Sequence, residues 1–321
     1  MRRCMLICGL FLFTALGGVA VRGDEATESA DLAKLVLNSK RLVFLGDSIT
    51  ATGPYVGNFD AWLVAQKRDQ IPVVINAGLP SETVSGLSEE GHAGGQFPRP
   101  DLDERLDRVL KVTQPDLVIA CYGMNCGIYE PLDAGRFEKY QKGIKNLKSK
   151  VEAAGAKIIF VTAPFYDDLR SPRKFLYNGV LDRYSEWLLE RKKEGWRVVD
   201  LHNPMTREVA KRRERETDKN FTFQPDGVHP NEAGYWFVSA QLIRALGDDS
   251  SAAAETPQKM LEAKKLPAEI LGLVMERAAV RRDAYVGAAG HKRPGVAKGL
   301  PIEEAEKKAD ELTARIQKAL K

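Results

Sequence analysis

Cysteine is scarce in this sequence and its charges nearly balance, and each of these shortages excludes a class of protein. The chain has 321 residues, four of them cysteine, and a formal net charge of +4. A disulfide framework of the kind that stabilises small secreted domains usually has more cysteines. The small excess of positive charge gives no support to nucleic-acid binding, and we expect no nucleic-acid partner.

Signatures of cofactors and of repeats are also absent from the sequence. No cluster of His and Cys has the spacing of metal ligands, and no glycine-rich loop has the form that cradles phosphate groups. We therefore expect no metal and no other cofactor. No segment recurs with a fixed period, and the length suffices for one full domain with an appendage.

An apolar run lies at the N-terminus. Arg2 and Arg3 precede an uncharged, largely apolar stretch over residues 4–21, and Asp24 follows shortly after it. This order is typical of a secretory signal peptide, and the stretch is shorter than the roughly 20 residues that a membrane-spanning helix needs. We predict a signal peptide over residues 1–23, an exported protein (periplasmic or secreted), and no stable membrane insertion after cleavage.

Removal of the signal peptide would change the composition of what remains. It takes away Arg2, Arg3 and Arg22, so the formal charge falls from +4 to +1. Two of the four cysteines leave with it, and only Cys121 and Cys126 remain. These two either pair or are small buried side chains, and their low number favours the second interpretation.

Five short runs rich in apolar and β-branched residues recur through the middle of the chain. They lack strict alternation, as expected for strands covered by helices on both faces. The clearest helical stripe between them consists of Phe137, Tyr140, Ile144, Leu147 and Val151, followed by Gly155 as a stop signal. The sequence predicts a three-layer α/β/α sandwich with a five-stranded parallel, flavodoxin-like sheet. The predicted strands are residues 41–46, 73–78, 116–123, 157–164 and 197–202.

Residues of chemical interest accompany the ends of three predicted strands. Ser48 follows the first strand, Gly78 ends the second, and Asn125 follows the third. In parallel sheets of this kind, functional groups gather beyond the carboxyl ends of the strands. Further along, Asp226 and His229 lie three residues apart, just before a predicted helix. A serine, a histidine and an orienting carboxylate together can activate a weak hydroxyl nucleophile.

Each of these residues also has a simpler interpretation. Ser48 can be the N-cap of a helix, Asn125 a turn residue, and His229 the start of a helix. Taken alone, none of them would establish chemistry. Their joint occurrence, in one order along the chain, favours the catalytic interpretation.

The chain resembles the SGNH hydrolases, also called GDSL-type lipases and esterases, over roughly residues 41–246. The resemblance rests on four blocks in the family's order, Gly46-Asp47-Ser48, Asn76-Ala77-Gly78, Gly123-Met124-Asn125 and Asp226-Gly227-Val228-His229-Pro230. It implies that Ser48 is the nucleophile, His229 the base and Asp226 the orienting carboxylate. It also implies an oxyanion hole formed by the backbone N–H groups of Ser48 and Gly78 and by the side-chain amide of Asn125.

The sequence departs from the family pattern at one position. The family's asparagine is often followed by Asp, whereas Cys126 follows Asn125 here. The amide that would donate to the oxyanion is retained, so we expect activity to be retained as well. The departure leaves open what holds Asn125 in place.

The resemblance implies a serine esterase that hydrolyses a carboxylic ester, with a small molecule or a polysaccharide ester as its substrate. Exported members of the family often remove acetyl or other small acyl groups from carbohydrates. We therefore expect an acetyl or similar group on a carbohydrate and an acyl-Ser48 intermediate. Two alternatives stay open, an O-acyltransferase that uses the same serine and a carbohydrate-binding protein with a decayed site.

The composition changes after the predicted catalytic domain, which we assign to residues 24–249. Residues 247–257 are small and polar, as in a linker, and a helical C-terminal extension is predicted over residues 250–321 together with that linker. Its helices are predicted at residues 257–280 and 302–319. Two helices alone bury little apolar surface, so we expect the extension to pack on the main domain or on a partner chain.

Overall fold

The structure, a computed structural model, describes residues 17–67, 71–171, 173 and 175–321, with side chains described from residue 26 onward. Most of the predicted signal peptide lies outside these residues. Helix α1, Gly17–Asn38, includes residues on both sides of the predicted cleavage position. The signal peptide and export therefore stay predictions. Within the described ranges, no helix is both long and apolar enough to cross a membrane.

Five parallel strands form the centre of the molecule in the order β2-β1-β3-β4-β5. Strand β1 pairs with β2 on one side and with β3 on the other, so the chain reverses its direction of progress across the sheet at β1. A crevice for ligands is expected beyond the carboxyl end of such a reversal. The predicted five-stranded parallel sheet is confirmed. The strands are β1 (Arg41–Gly46), β2 (Val73–Asn76), β3 (Leu117–Cys121), β4 (Lys157–Val161) and β5 (Val198–Val199).

Helices cover both sides of this sheet, which gives the predicted three layers. Helix α5 shows why they form, because its stripe of Tyr140, Ile144, Leu147 and Val151 is buried toward the core. Gly155, at a φ of 82°, ends the segment in a left-handed conformation that suits glycine. The helices of this part are α2 (Ser48–Thr52), α3 (Pro54–Ala65), α4 (Leu102–Thr113), α5 (Ala134–Ala153), α6 (Asn178–Glu190), α7 (His202–Arg213) and α8 (Glu232–Ala245).

The segment predicted as a linker is folded and attached to the main domain. It contains helix α9, Asp249–Ala252, whose N-cap Asp248 accepts a hydrogen bond from the Ser251 amide. Asp248 also accepts a hydrogen bond of 2.9 Å from Trp62 Nε1 in α3. The linker prediction was wrong for this stretch because its small polar residues serve as caps and packing contacts, and Ser251 and Ala252 are buried.

The C-terminal extension contains three helices rather than the two predicted. The first predicted helix is divided around Lys265, which has a φ of 57°, and Pro267, which cannot continue a helix. The observed helices are α10 (Pro257–Ala263), α11 (Glu269–Ala289) and α12 (Ile302–Ala319). The second predicted helix, residues 302–319, coincides with α12.

Helix α11 packs directly on the main domain. Arg277 donates to both carboxylate oxygens of Asp60 in α3 at 2.9 Å, and both side chains are almost completely buried. Gly57 of α3 lies so close to α11 that a Cβ atom there would be 2.2 Å from Met275 Sδ. The expected packing of the extension is therefore observed against its own chain.

Candidate active site

Ser48 is the first residue of α2 and lies immediately beyond the carboxyl end of β1. The preceding Asp47 is the N-cap of this helix, and its Oδ1 accepts a hydrogen bond of 3.0 Å from the Ile49 amide. Burial raises the pKa of Asp47 to about 6, although the Ile49 hydrogen bond and the nearby His229 act in the opposite direction. Asp47 thus braces the turn that presents Ser48, as expected from its position.

An unbroken chain of hydrogen bonds links Ser48, His229 and Asp226. Ser48 Oγ lies 2.8 Å from His229 Nε2, and His229 Nδ1 lies 2.7 Å from Asp226 Oδ2. The other carboxylate oxygen of Asp226 accepts from the amides of Val228 and His229 at 2.9 and 2.7 Å. The structure therefore brings together the three residues predicted to act as nucleophile, base and orienting carboxylate.

The hydrogen bonds of Asp226 favour the charged form of its carboxylate. Partial burial alone would raise the pKa of Asp226, but the hydrogen bonds from the His229 side chain and from the His229 and Val228 amides lower it overall. The side chains of His229 and Asp226 are 44 % and 57 % exposed. The His229 side chain therefore faces open solvent.

Asn125 is buried beyond the carboxyl end of β3 and is held from both ends of its amide. Its Oδ1 accepts a hydrogen bond of 2.9 Å from Tyr129 Oη, and its Nδ2 donates to the Glu82 carbonyl at 3.3 Å. An amide nitrogen has two hydrogens, so the second one is available to a ligand. Tyr129 and Glu82 thus hold Asn125 in place, although Cys126 follows it instead of the family's Asp. Sequence reasoning missed both residues, because neither belongs to a recognisable motif.

Glu82 is itself fixed by a buried network beneath the site. Arg105 Nε and Nη2 donate to its two carboxylate oxygens at 2.6 and 2.8 Å, and Tyr122 Oη lies 2.6 Å from Oε2. Arg105 Nη2 also donates to the Ala77 carbonyl at 2.8 Å. This buried ion pair gives the loop after β2 one defined position, although the buried Arg105 Nη1 has no hydrogen-bond partner among the described residues.

The backbone N–H of Gly78, predicted to be an oxyanion donor, is already engaged in another hydrogen bond. Its N–H already donates to Asn76 Oδ1 at 2.9 Å. Asn76 in turn donates from Nδ2 to the Thr50 carbonyl at 2.6 Å, which ties the end of β2 to α2. Glycine is required for packing, since a Cβ atom at position 78 would lie 2.6 Å from the Ala51 amide nitrogen.

Ser81 is a residue of the same loop that the sequence did not single out. Its φ is 69°, an uncommon value for a residue other than glycine and one that recurs at functional sites. Its carbonyl accepts a hydrogen bond from Arg99 Nη1 at 3.4 Å. Its N–H donates to none of the residues that the structure describes. Ser81 precedes Glu82, whose carbonyl holds Asn125.

The extension also reaches the helix that carries Ser48. Arg282 of α11 donates from Nη1 to the carbonyls of Ala51 and Thr52 at 3.3 and 3.5 Å. These carbonyls belong to the last turn of α2, where a cation is electrostatically favourable. Helix α2 is therefore supported by a segment more than two hundred residues downstream.

Three other features of the sequence have structural roles. His202 is buried at the start of α7, where its ring nitrogens contact Asp182 Oδ1 and the Ala163 carbonyl. His92 Nδ1 lies 3.1 Å from Glu89 Oε1. Cys121 and Cys126 are buried free thiols, in agreement with the interpretation as small buried side chains.

Residues 44–237, which are more than half of the chain, match the model of the GDSL-like Lipase/Acylhydrolase family. The chain belongs to this family, the SGNH hydrolases, and is a carboxylic ester hydrolase. The match stops before α9 and so does not include the C-terminal extension. No curated protein matches the chain significantly.

Solved structures share the fold at low sequence identity. A gut microbial diltiazem-metabolizing enzyme aligns at a TM-score of 0.51 and 24% identity, over 65% of this chain and 47% of the other. LAE5, an alpha/beta hydrolase from the metagenome of Lake Arreo, Spain, aligns at 0.50 and 22%, over 65% and 95%. The acetyl xylan esterase AlAXEase aligns at 0.50 and 19%, over 64% and 98%. This chain thus spans about half of the first structure and nearly all of the other two.

Proposed function

We propose that the protein removes a small acyl group, typically acetyl, from a carbohydrate ester through an acyl-Ser48 intermediate. The observation that carries the proposal is the continuous hydrogen-bond chain from Ser48 through His229 to Asp226. Such a chain supplies a nucleophile, a proton acceptor and a group that orients the acceptor.

In the first step, Ser48 Oγ forms a bond to the ester carbonyl carbon while its proton passes to His229 Nε2. The carbonyl π electrons move to oxygen, which becomes an oxyanion. Asp226 keeps the proton on His229 Nδ1 and stabilises the imidazolium. His229 then gives its proton to the alcohol oxygen as the carbon–oxygen bond breaks, which leaves the acyl-enzyme. Water repeats the two steps and releases the acid and free Ser48.

The oxyanion needs hydrogen-bond donors that are in place before it forms. We assign this role to the Ser48 N–H, to the unused hydrogen of Asn125 Nδ2 and, in place of Gly78, to the N–H of Ser81. Ser81 is favoured because its N–H is free of other described residues and because it adjoins Glu82, which holds Asn125. Two of these three donors, the Ser81 N–H and the Asn125 amide held by Glu82, thus depend on the loop that follows β2.

Two observations support a saccharide as the alcohol part. His229, which must protonate the leaving alcohol, is 44 % exposed and leaves room for a large leaving group. A solved structure with the same fold is an acetyl xylan esterase. Predicted export agrees with a substrate outside the cell, where such polymers occur.

The test is a panel of p-nitrophenyl acetate, butyrate and octanoate together with acetylated xylan, assayed by release of nitrophenol and of acetate. We expect the acetate ester and the acetylated polymer to be hydrolysed. Ser48→Ala should abolish turnover with an unchanged melting temperature, because the hydroxyl is needed only for the covalent step. The matched control, Ser250→Ala, changes an exposed serine in α9 and should keep full activity.

Turnover retained in pure Ser48→Ala protein would overturn the mechanism, and a preference for octanoate would overturn the small acyl group. An added sugar acceptor distinguishes the transferase alternative. If the acyl group passes to the sugar, less free acetate appears than ester is consumed.

A further inference from the structure

Arg173 presents a cation whose position is fixed by the protein. Its Nη1 donates to Tyr166 Oη at 2.6 Å, and its Nε donates to the Tyr129 carbonyl at 3.3 Å. The guanidinium carbon lies 4.6 Å from the centre of the Tyr129 ring and 5.8 Å from that of Tyr166. The side chain is thus oriented before any ligand arrives, although the residue is exposed.

The two tyrosines that hold Arg173 come from the two loops that border the catalytic residues. Tyr129 donates from Oη to Asn125 Oδ1, so one tyrosine ring separates the guanidinium from the oxyanion donor. Tyr166 Cζ lies 3.7 Å from where a Cβ atom on Gly227 would be, next to Asp226. The adjoining Asp167 amide donates to the Gly227 carbonyl at 2.9 Å. Arg173 therefore contacts the Asn125 loop through Tyr129, and its second partner, Tyr166, adjoins the loop of Asp226 and His229.

No acidic residue among those that the structure describes forms an ion pair with Arg173. Its Nη2 also donates to none of them. Arg99 provides a contrast within the same site, since it too lies over the Tyr129 ring, at 5.1 Å, but forms a bidentate ion pair with Glu89. The side chain of Arg99, whose charge is paired with Glu89, is therefore buried, whereas Arg173, which has no ion-pair partner among the described residues, faces the solvent.

Exposed apolar side chains lie close in sequence to Tyr129, Tyr166 and Arg173. Four large apolar side chains are exposed among the described residues, and three of them lie three residues from one of these positions. The three are Leu132, Leu169 and Leu176, at 52%, 74% and 75% exposure.

We infer that Arg173 binds a carboxylate of the substrate, so that the preferred ester is an acylated saccharide that carries a uronic acid close to the acylated position. Nη1 of Arg173 also donates to Ser171 Oγ at 3.3 Å, so Nη2 is the nitrogen left to donate a charge-assisted hydrogen bond to a carboxylate. This inference rests on the proposed function, because it specifies the alcohol part of the same ester.

The test compares two substrates that differ only in the carboxylate. Acetylated xylo-oligosaccharides bearing a glucuronic acid side group are used as prepared and after reduction of the carboxyl group to a neutral alcohol. For each, kcat/KM is measured with the unaltered protein, Arg173→Gln, Arg173→Lys and a control, Arg183→Gln. Arg183 also lies over an aromatic ring, that of Phe137, but pairs with Glu186 and belongs to α6.

We expect the unaltered protein to prefer the acidic oligosaccharide by about tenfold, as one exposed charge-assisted hydrogen bond allows. The preference should disappear in Arg173→Gln, persist in part in Arg173→Lys and persist fully in Arg183→Gln. Added salt should weaken it, because the site is exposed. The ratio of the two substrates cancels any general loss from a looser Tyr129, which a purely structural role would produce.

A preference that is absent from the unaltered protein, or that is unchanged in Arg173→Gln, would overturn the assignment. Calorimetric titration of Ser48→Ala protein with the two deacetylated oligosaccharides measures binding without turnover. Selective binding of the acidic product that is lost on Arg173→Gln supports the carboxylate site by itself. Failure to hydrolyse either oligosaccharide, with p-nitrophenyl acetate still hydrolysed and no selective binding, would instead overturn the carbohydrate substrate and this inference with it.

Discussion

Asn125, the proposed oxyanion donor, shows how two neighbours orient one side chain. Free asparagine amides rotate, and a rotated amide would present oxygen rather than nitrogen to an oxyanion. Here the Tyr129 hydroxyl binds the oxygen at 2.9 Å and the Glu82 carbonyl binds one hydrogen of the nitrogen at 3.3 Å. The two contacts specify which end of the amide faces the cleft, which is the preorganisation that oxyanion stabilisation requires.

This arrangement predicts a graded series of variants. Asn125→Asp keeps an acceptor for Tyr129 but loses the donor, so kcat should fall by about 10²–10³ with little change in KM. Tyr129→Phe keeps the donor but frees its orientation, so the loss in kcat should be smaller, about tenfold. Steady-state kinetics on p-nitrophenyl acetate measures both. Losses confined to KM would mean that Asn125 binds the substrate in its ground state instead. An equal loss of kcat in Tyr129→Phe would mean that the orientation of the amide matters as much as the donor itself.

At the scale of the element, α2 is too short to stabilise itself. It has five residues, and a helix leaves about four N–H groups and four carbonyls unpaired at its ends. Asp47 caps the first end, Asn76 reaches the Thr50 carbonyl, and Arg282 reaches the carbonyls of Ala51 and Thr52. The position of Ser48 thus depends on three separate parts of the chain.

The burial of the N-cap Asp47 leads us to predict how the stability of the protein depends on pH. Its burial raises its pKa from 3.8 to about 6, so the folded protein binds this proton more tightly than the unfolded chain does. The tighter binding of this proton stabilises the folded state fully below pH 3.8, and this stabilisation is lost as the pH rises through about 6. The loss amounts to about 3 kcal/mol in the free energy of unfolding. Asp47→Asn cannot ionise, yet its side-chain oxygen can still accept from the Ile49 amide.

We therefore expect Asp47→Asn to gain stability relative to the unaltered protein between pH 4 and pH 8, by up to about 3 kcal/mol. Urea unfolding at the two pH values measures the difference, and using the difference between the proteins removes the titration of all other groups. If the two proteins differ in stability by the same amount at both pH values, ionisation of Asp47 does not destabilise the folded protein.

What the sequence could predict at this scale depended on local patterns. The strands were predictable because each is a short buried run, and Ser48, Asp226 and His229 because each belongs to a short block at a strand end or a helix start. The occupied N–H of Gly78 was not predictable, since the motif does not reveal that the Asn76 side chain accepts from the amide two residues further along the chain. Tyr129 lies four residues after Asn125 but outside its motif, and Arg282 contacts α2 from more than two hundred residues away, so no local pattern revealed either role.

At the scale of the whole molecule, the extension beyond the family match is part of the fold. Arg41 of β1 donates to Tyr285 Oη at 2.9 Å, and Arg108 of α4 donates to the Ala289 carbonyl at 2.7 Å. The buried pair between Asp60 and Arg277 joins α3 to α11 at the centre of this contact. The ester hydrolase fold of this chain is therefore completed by helices that its family model does not include.

From the buried pair of Asp60 and Arg277 we predict how strongly the catalytic domain and the C-terminal extension depend on one another. Arg277→Met leaves the Asp60 carboxylate buried without a cation, which should cost about 3–5 kcal/mol in the free energy of unfolding. The control, Lys308→Met, breaks a half-exposed ion pair with Glu276 of α11 and should cost less than about 1 kcal/mol. Adding Asp60→Asn to Arg277→Met should restore part of the loss, because it removes the unpaired charge.

Truncation after Leu246 removes the cation together with α9 to α12, and the whole catalytic domain should lose its cooperative unfolding transition. Activity on p-nitrophenyl acetate and on acetylated xylan should then disappear together, since Ser48, Asn125 and their supports all depend on the same fold. Urea unfolding and the two assays on the purified truncated chain measure this. A truncated chain that unfolds cooperatively and loses only the polymer activity would show that the extension binds substrate and is not required for the fold.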